Sequence, residues 1–213
     1  MPAARCRSPV RALLLGLVLA GSAAPASAAH GPLGIDSPHA ADDSGIWSRG
    51  DQLWLQGLTL SVVIGGALWE GSDSRLGHTY WESVDAVAIG AVTAQAMKVT
   101  FSRARPSQTD DPNLWFQGHG HNSFPSGEVM TVTTAVVPFI LEYGAEHPAV
   151  WALAVLPVYD GIARVKSKGH WPSDVIASMA IGSAIGLYSH NRLLPISVGV
   201  LPRGVTIGWK TTF

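Results

Sequence analysis

Asn122-Ser123-Phe124-Pro125-Ser126-Gly127-Glu128-Val129 reads as a loop turning into a helix. Ser126 is a residue type favoured at an N-cap, and an apolar-periodic run follows it at once. The first backbone N–H groups of such a helix have no partner inside it, so with the helix dipole they can hold an anion, and Gly127 lets a phosphate approach the backbone closely. A lone Pro-Ser-Gly is more often an ordinary capped helix. The flanks change that reading: Lys98 and Arg105-Pro106 precede the stretch, and Arg164, His170 and Asp174 follow it.

Arginine presents a planar fork that grips phosphate oxygens two at a time, and lysine adds a compact charge. Lys98, Arg105 and Arg164 together would hold a dianion and the charge added in its transition state. Any one of them alone would be read as a surface charge or helix-end cation. His170 and Asp174 open a further helix, with Pro172 suited to its first turn and Asp174 favoured there by the dipole. The expected arrangement has Asp174 bonded to one ring nitrogen, which leaves the other free as a nucleophile. The blander alternative is a capping Asp beside a structural His.

This ordered set resembles the type 2 phosphatidic acid phosphatase (PAP2) superfamily, which includes class A acid phosphatases and vanadium haloperoxidases and is marked by K-x6-RP, PSGH and SR-x5-H-x3-D. The likeness covers residues 98–174, with two departures: Glu128 stands in place of the PSGH histidine and Ala163 in place of the third motif's serine. The resemblance implies an all-α PAP2-type helical bundle and metal-independent chemistry with no cofactor. It also implies that His170 attacks phosphorus, that Asp174 orients it, and that Lys98, Arg105, Arg164 and the amides near Ser126 and Gly127 bind the oxygens. Glu128 would then have to act as the acid for the leaving group, or else mark a changed site. A vanadate-dependent haloperoxidase and a non-catalytic phosphate or lipid-headgroup binding protein are the rival readings. The partner expected in each phosphatase case is a phosphate ester, with a lipid phosphate among the candidates.

Of the 213 residues, 47% are hydrophobic, enough for one domain with a sizeable core. Residues 1–28 carry Arg5, Arg7 and Arg11, an apolar run from Ala12 to Ala20, and Ala26-Ser27-Ala28. That is the build of a cleavable secretory signal. Export to the periplasm follows as the expectation. The single cysteine, Cys6, would leave with the signal, so disulfide and thiol chemistry are excluded. Net charge is −1 before cleavage, and no basic footprint for nucleic acid exists. His119 and His121 lie in a Gly-rich loop without a spaced carboxylate or cysteine, a weak ligand set for a metal.

The domain reading divides the chain into a signal at 1–28, an exposed lead-in at 29–50, a PAP2-type phosphatase domain at 51–194, and a short C-terminal β-hairpin at 195–213. Helices are expected from Gln52 to Trp69, from near Trp81 to no later than Pro106, and at 127–142, 149–165 and 173–189. Residues 107–124 form a polar loop long enough for a pocket wall. The hairpin rests on period-two alternation in 196–200 and 205–209. Apolar segments of about 14 to 18 residues fall short of the ~20 needed to span a bilayer. The expectation is therefore a periplasmic globular bundle, with association with the inner membrane as the alternative.

Overall fold

The computed structural model describes residues 30–192 and the backbone of 196–201 and 204–209. The signal expected at 1–28 lies outside the described residues. Five α-helices lie among the described residues: α1 Arg49–Glu70, α2 Arg75–Phe101, α3 Gly127–Tyr143, α4 Val155–Lys166 and α5 Pro172–Asn191, with a 3₁₀ segment at Pro148–Ala154 leading into α4. The starts follow local chemistry. Ser48 caps α1 by accepting from the Asp51 N–H, and Ser74 caps α2 by accepting from Gly77. That cap starts α2 six residues before the expected Trp81. The helix ends at Ser102, whose left-handed φ of 37° turns the chain sharply toward the site.

The central helix is α3. Val129, Met130, Val132, Ala135 and Val137 are all at most 5% exposed, and the helix packs most extensively on α2 and α5. The small residues of α5 make that approach possible: a Cβ on Gly186 would stand 2.6 Å from the Val137 side chain, and one on Gly182 would stand 2.9 Å from Thr133.

The outer helices are different. Residues 49–70, 75–101 and 148–166 are each long and apolar enough to cross a membrane, yet only 17%, 17% and 28% of their most apolar stretches are buried. Trp54, Leu58 and Trp69 on α1 and Val92 and Val99 on α2 are all at least 60% exposed. An apolar surface of this extent on a bundle is what hydrocarbon, not water, accommodates. The expectation of a water-soluble bundle gives way to a membrane-type one. The estimate from segment length failed because the helices run past their apolar runs, and their Thr, Ser and Gln interruptions do not break them.

The lead-in also departs from expectation. Asp36 is fully buried, the His39 Nε2 lies 2.7 Å from the Val165 carbonyl, and Lys166 donates to Asp42. Residues 36–42 therefore strap the ends of α4 and α5. Beyond α5, the backbones of 196–201 and 204–209 pair antiparallel, while the turn at 202–203 and residues 193–195 and 210–213 lie outside the described residues. The fold class rests on the helices, and the hairpin adds no support to it.

Candidate active site

His170 precedes α5 and is 2% exposed. Its Nδ1 lies 2.5 Å from the Ser123 carbonyl, so Nδ1 carries the proton and donates, and Nε2 is left as the nitrogen with a free lone pair. The expected Asp174 contact is not a hydrogen bond, because its Oδ2 stands 3.9 Å from Nδ1. Instead Asp174 holds Ser123, whose hydroxyl donates to Oδ2 at 2.5 Å while its N–H donates to the Arg103 carbonyl at 2.9 Å. Oδ2 also accepts from the Trp171 N–H at 3.0 Å, which fixes the first turn of α5. Burial, then the positive charges of Lys98, Arg164 and Arg105, push the imidazole well below its ordinary pKa. A neutral, nucleophilic ring facing three cations is the result.

Lys98 leaves the last turn of α2 and Arg105 the segment after it, and one residue gathers both. Lys98 Nζ donates to the Asn122 carbonyl at 2.8 Å, and Arg105 Nε donates to the Asn122 Oδ1 at 2.9 Å. A cavity of about 390 Å³ is lined by Lys98, Arg105, Asn122, Gly127, Glu128 and His170, among others. Ser126 sits at the N-cap of α3, but its hydroxyl makes no cap bond and is buried without a partner among the described residues. Arg164 is buried too, with Nη1 donating to Gln52 at 2.9 Å and Nε unpartnered among the described residues. Gly169 packs so closely on this guanidinium that an added Cβ would meet Nη2 at 2.4 Å. Orphaned donors at Ser126 and Arg164 are polar groups whose burial is costly unless an anion accepts from them.

Glu128 is placed in the cavity wall but is not free. Arg49, at the start of α1, forks it with bonds of 2.5 and 3.0 Å, and Arg164 Nη1 lies 3.9 Å away. Burial pushes the Glu128 carboxyl up, but the Arg49 fork and the charges of Arg164 and Arg105 outweigh it and hold the group below its ordinary range. A carboxylate held this way has no proton to give at neutral pH. Asp160, one turn before Arg164, is buried nearby with neither oxygen hydrogen-bonded among the described residues.

His119 and His121 do not join the cradle directly. With Gln95, Lys98, Ser102 and Asn122 they line a second cavity of about 300 Å³, which shares the Lys98 and Asn122 wall with the first. His121 Nδ1 is buried there without a partner among the described residues.

The three separated motifs therefore converge on one cavity. Residues 79–194 match the family described as the PAP2 superfamily. The chain belongs to the PAP2 superfamily. It is 28% identical over 176 residues to a lipid A 1-phosphatase of Rhizobium etli, covering 75% of this chain and 73% of that protein. It is 29% identical over 132 residues to a lipid A 1-phosphatase of Porphyromonas gingivalis, covering 61% of this chain and 27% of that protein. A lipid A 1-phosphatase of Rhizobium johnstonii is 31% identical over 128 residues, covering 58% of this chain and 50% of that protein. The chain thus spans about a quarter and a half of the length of two of these PAP2-type relatives. The crystal structure of a transmembrane PAP2-type phosphatidylglycerolphosphate phosphatase from Bacillus subtilis has the same fold, with a TM-score of 0.51, 16% identity and 85% coverage of each chain.

Sequence reasoning missed several parts of this PAP2 site. Asn122 carries no signal of its own in the sequence, although its amide brackets Lys98 and Arg105. Arg103, two residues before Arg105, was not distinguished from it, yet it is the cation bound to Asp174 at 2.5 Å. Asp36, Arg49 and Gln52 carried no local signal, because their partners are more than 60 residues away.

Proposed function

We propose that this PAP2 protein is a membrane-embedded lipid-phosphate monoesterase working through a phosphohistidine. The observation that carries the reading is the Ser123 carbonyl on His170 Nδ1, which leaves Nε2 to serve a cavity walled by Lys98, Arg105 and the start of α3. Nε2 attacks phosphorus, a P–N bond forms, and the P–O bond to the leaving group breaks. Lys98, Arg105, Arg164, Ser126 and the first amides of α3 bind the three equatorial oxygens. Water then attacks phosphorus, the P–N bond breaks, and inorganic phosphate leaves with His170 neutral again.

Glu128 serves in this scheme as the counter-ion of Arg49 and not as the acid. The departing oxygen takes its proton from water, and the proton of the water that attacks in the second step returns to solvent. The lipid A 1-phosphatase relatives and the exposed apolar helices favour a lipid substrate presented from the bilayer. The leader at 1–28 supports a site on the periplasmic side of the inner membrane.

Phosphate release tests the proposal. Detergent-solubilised protein is offered lipid A 1-phosphate, phosphatidic acid, phosphatidylglycerolphosphate and p-nitrophenyl phosphate, each with and without vanadate. Release from at least one lipid, inhibited competitively by vanadate, is expected, because five-coordinate vanadate mimics the transferring phosphoryl group. Binding without release would make the chain a headgroup-binding protein, and vanadate-dependent halide oxidation with peroxide would make it a haloperoxidase.

A further inference from the structure

The nucleophile is held by a buried chain of charges that begins outside the matched family region, in the strap before α1. Asp36 Oδ2 accepts from Arg103 Nη2 at 2.7 Å and from the Ser173 hydroxyl at 2.6 Å, and Oδ1 accepts from the Ser173 N–H at 2.8 Å. Arg103 Nη1 in turn donates to Asp174 at 2.5 Å. Asp174 takes the Ser123 hydroxyl, and the Ser123 carbonyl takes the His170 proton. Asp36, Arg103 and Asp174 are all fully buried.

The arrangement fixes Ser123 at three points. Its N–H is fixed by the Arg103 carbonyl, its hydroxyl by Asp174 and its carbonyl by His170. Asp174, the side chain that sets the hydroxyl's position, is itself held by the Arg103 guanidinium, which stands between the Asp36 and Asp174 carboxylates. Trp115 covers it at 4.4 Å and the Pro112 carbonyl accepts from Nε and Nη2, so water has no place on it. Without Asp36, Arg103 would face one carboxylate only, and a buried guanidinium left half-paired moves toward whatever acceptor remains.

We propose that Asp36 is a positioning residue for the His170 nucleophile, so that the strap at 36–42 is part of the catalytic apparatus. The proposal rests on the reading of His170 as nucleophile. Asp36 touches neither substrate nor the reacting atoms. It acts through Arg103, Asp174 and Ser123, and its removal lets the imidazole drift from its line of attack. Displacement on the order of 1 Å costs about 100-fold in rate when the reacting atoms must be aligned.

The test is burst kinetics of Asp36→Asn with p-nitrophenyl phosphate. A positioning role predicts a phosphorylation rate constant lower by about tenfold or more and weaker vanadate binding, with the active-site concentration, taken from the burst amplitude corrected for the two rate constants, kept. A merely structural role lowers the amplitude, as protein is lost, and leaves the rate constant of the remaining fraction unchanged, which would overturn the proposal. Ser173→Ala, which removes the hydroxyl that donates to Asp36 and accepts from Arg103 Nη1 and keeps the charges, serves where Asp36→Asn does not fold. It should slow phosphorylation by about threefold at full amplitude, and an unchanged rate constant would again overturn the proposal. His170→Ala is run alongside: a burst retained there sinks the nucleophile reading itself, whatever Asp36 does.

Discussion

At the scale of single residues, the geometry separates roles that spacing alone had merged. Glu128 occupies the family's histidine position, but the Arg49 fork and its lowered pKa leave it ionised. Glu128→Gln should therefore change kcat less than about threefold, with equal effects on p-nitrophenyl phosphate and on alkyl esters, because no proton transfer is lost. A selective loss on poor leaving groups would restore the acid role. His170 gives a pH signature with a definite sign. Its folded pKa lies well below 6.5, so the neutral nucleophile persists on the acid side of 6.5, and kcat should stay flat through that pH and bend only lower. The same shift works against stability: below the unfolded value near 6.5 the unfolded chain takes a proton that the folded one refuses, so thermal stability should fall as pH drops from there.

The residues legible in the sequence were those whose chemistry is carried by short spacing. Lys98, Arg105, Arg164 and His170 do meet, and the start of α3 lies among them. What was not legible depended on chain segments far apart. Asp36 and Arg49 pair with groups more than 60 residues away, and nothing in the polar lead-in distinguished a buried carboxylate from a solvated one. Asp174 was read as the histidine's direct partner because the pair sits four residues apart. The carboxylate instead accepts from the Ser123 hydroxyl and from the N–H of Trp171, the N-cap of α5.

At the scale of elements, the α3–α5 contact sets where the two halves of the cradle stand. The N-terminus of α3 brings Ser126 and Gly127, that of α5 brings His170 and Asp174, and glycines let the two helices close behind them. Gly186→Val would put a branched side chain where a Cβ alone already stands 2.6 Å from Val137. Overpacking of this kind costs about 1–3 kcal/mol. Thermal unfolding in detergent should show the loss, and an unchanged midpoint would mean that the helices do not close as described. The small residues of α5 were visible beforehand, but their partner helix was not, since a stripe of small residues permits contact without naming its neighbour.

At the scale of the molecule, the polar cradle sits inside a bundle whose outer helices are unlike those of a water-soluble domain. Trp54, Leu58, Val62 and Trp69 on α1 are at least half exposed, on a helix long enough to span a bilayer. The protein should stay with the membrane through alkaline carbonate washing and leave it only with detergent, and release by carbonate would contradict the spanning reading. The central claim concerns the atom that attacks. Detergent-solubilised protein mixed with ³²P-labelled substrate, quenched in alkali and mapped by mass spectrometry, tests it most directly. The account predicts an acid-labile, alkali-stable phosphoryl group on His170, absent from His170→Ala. Label on a serine, or turnover retained by His170→Ala, would contradict it.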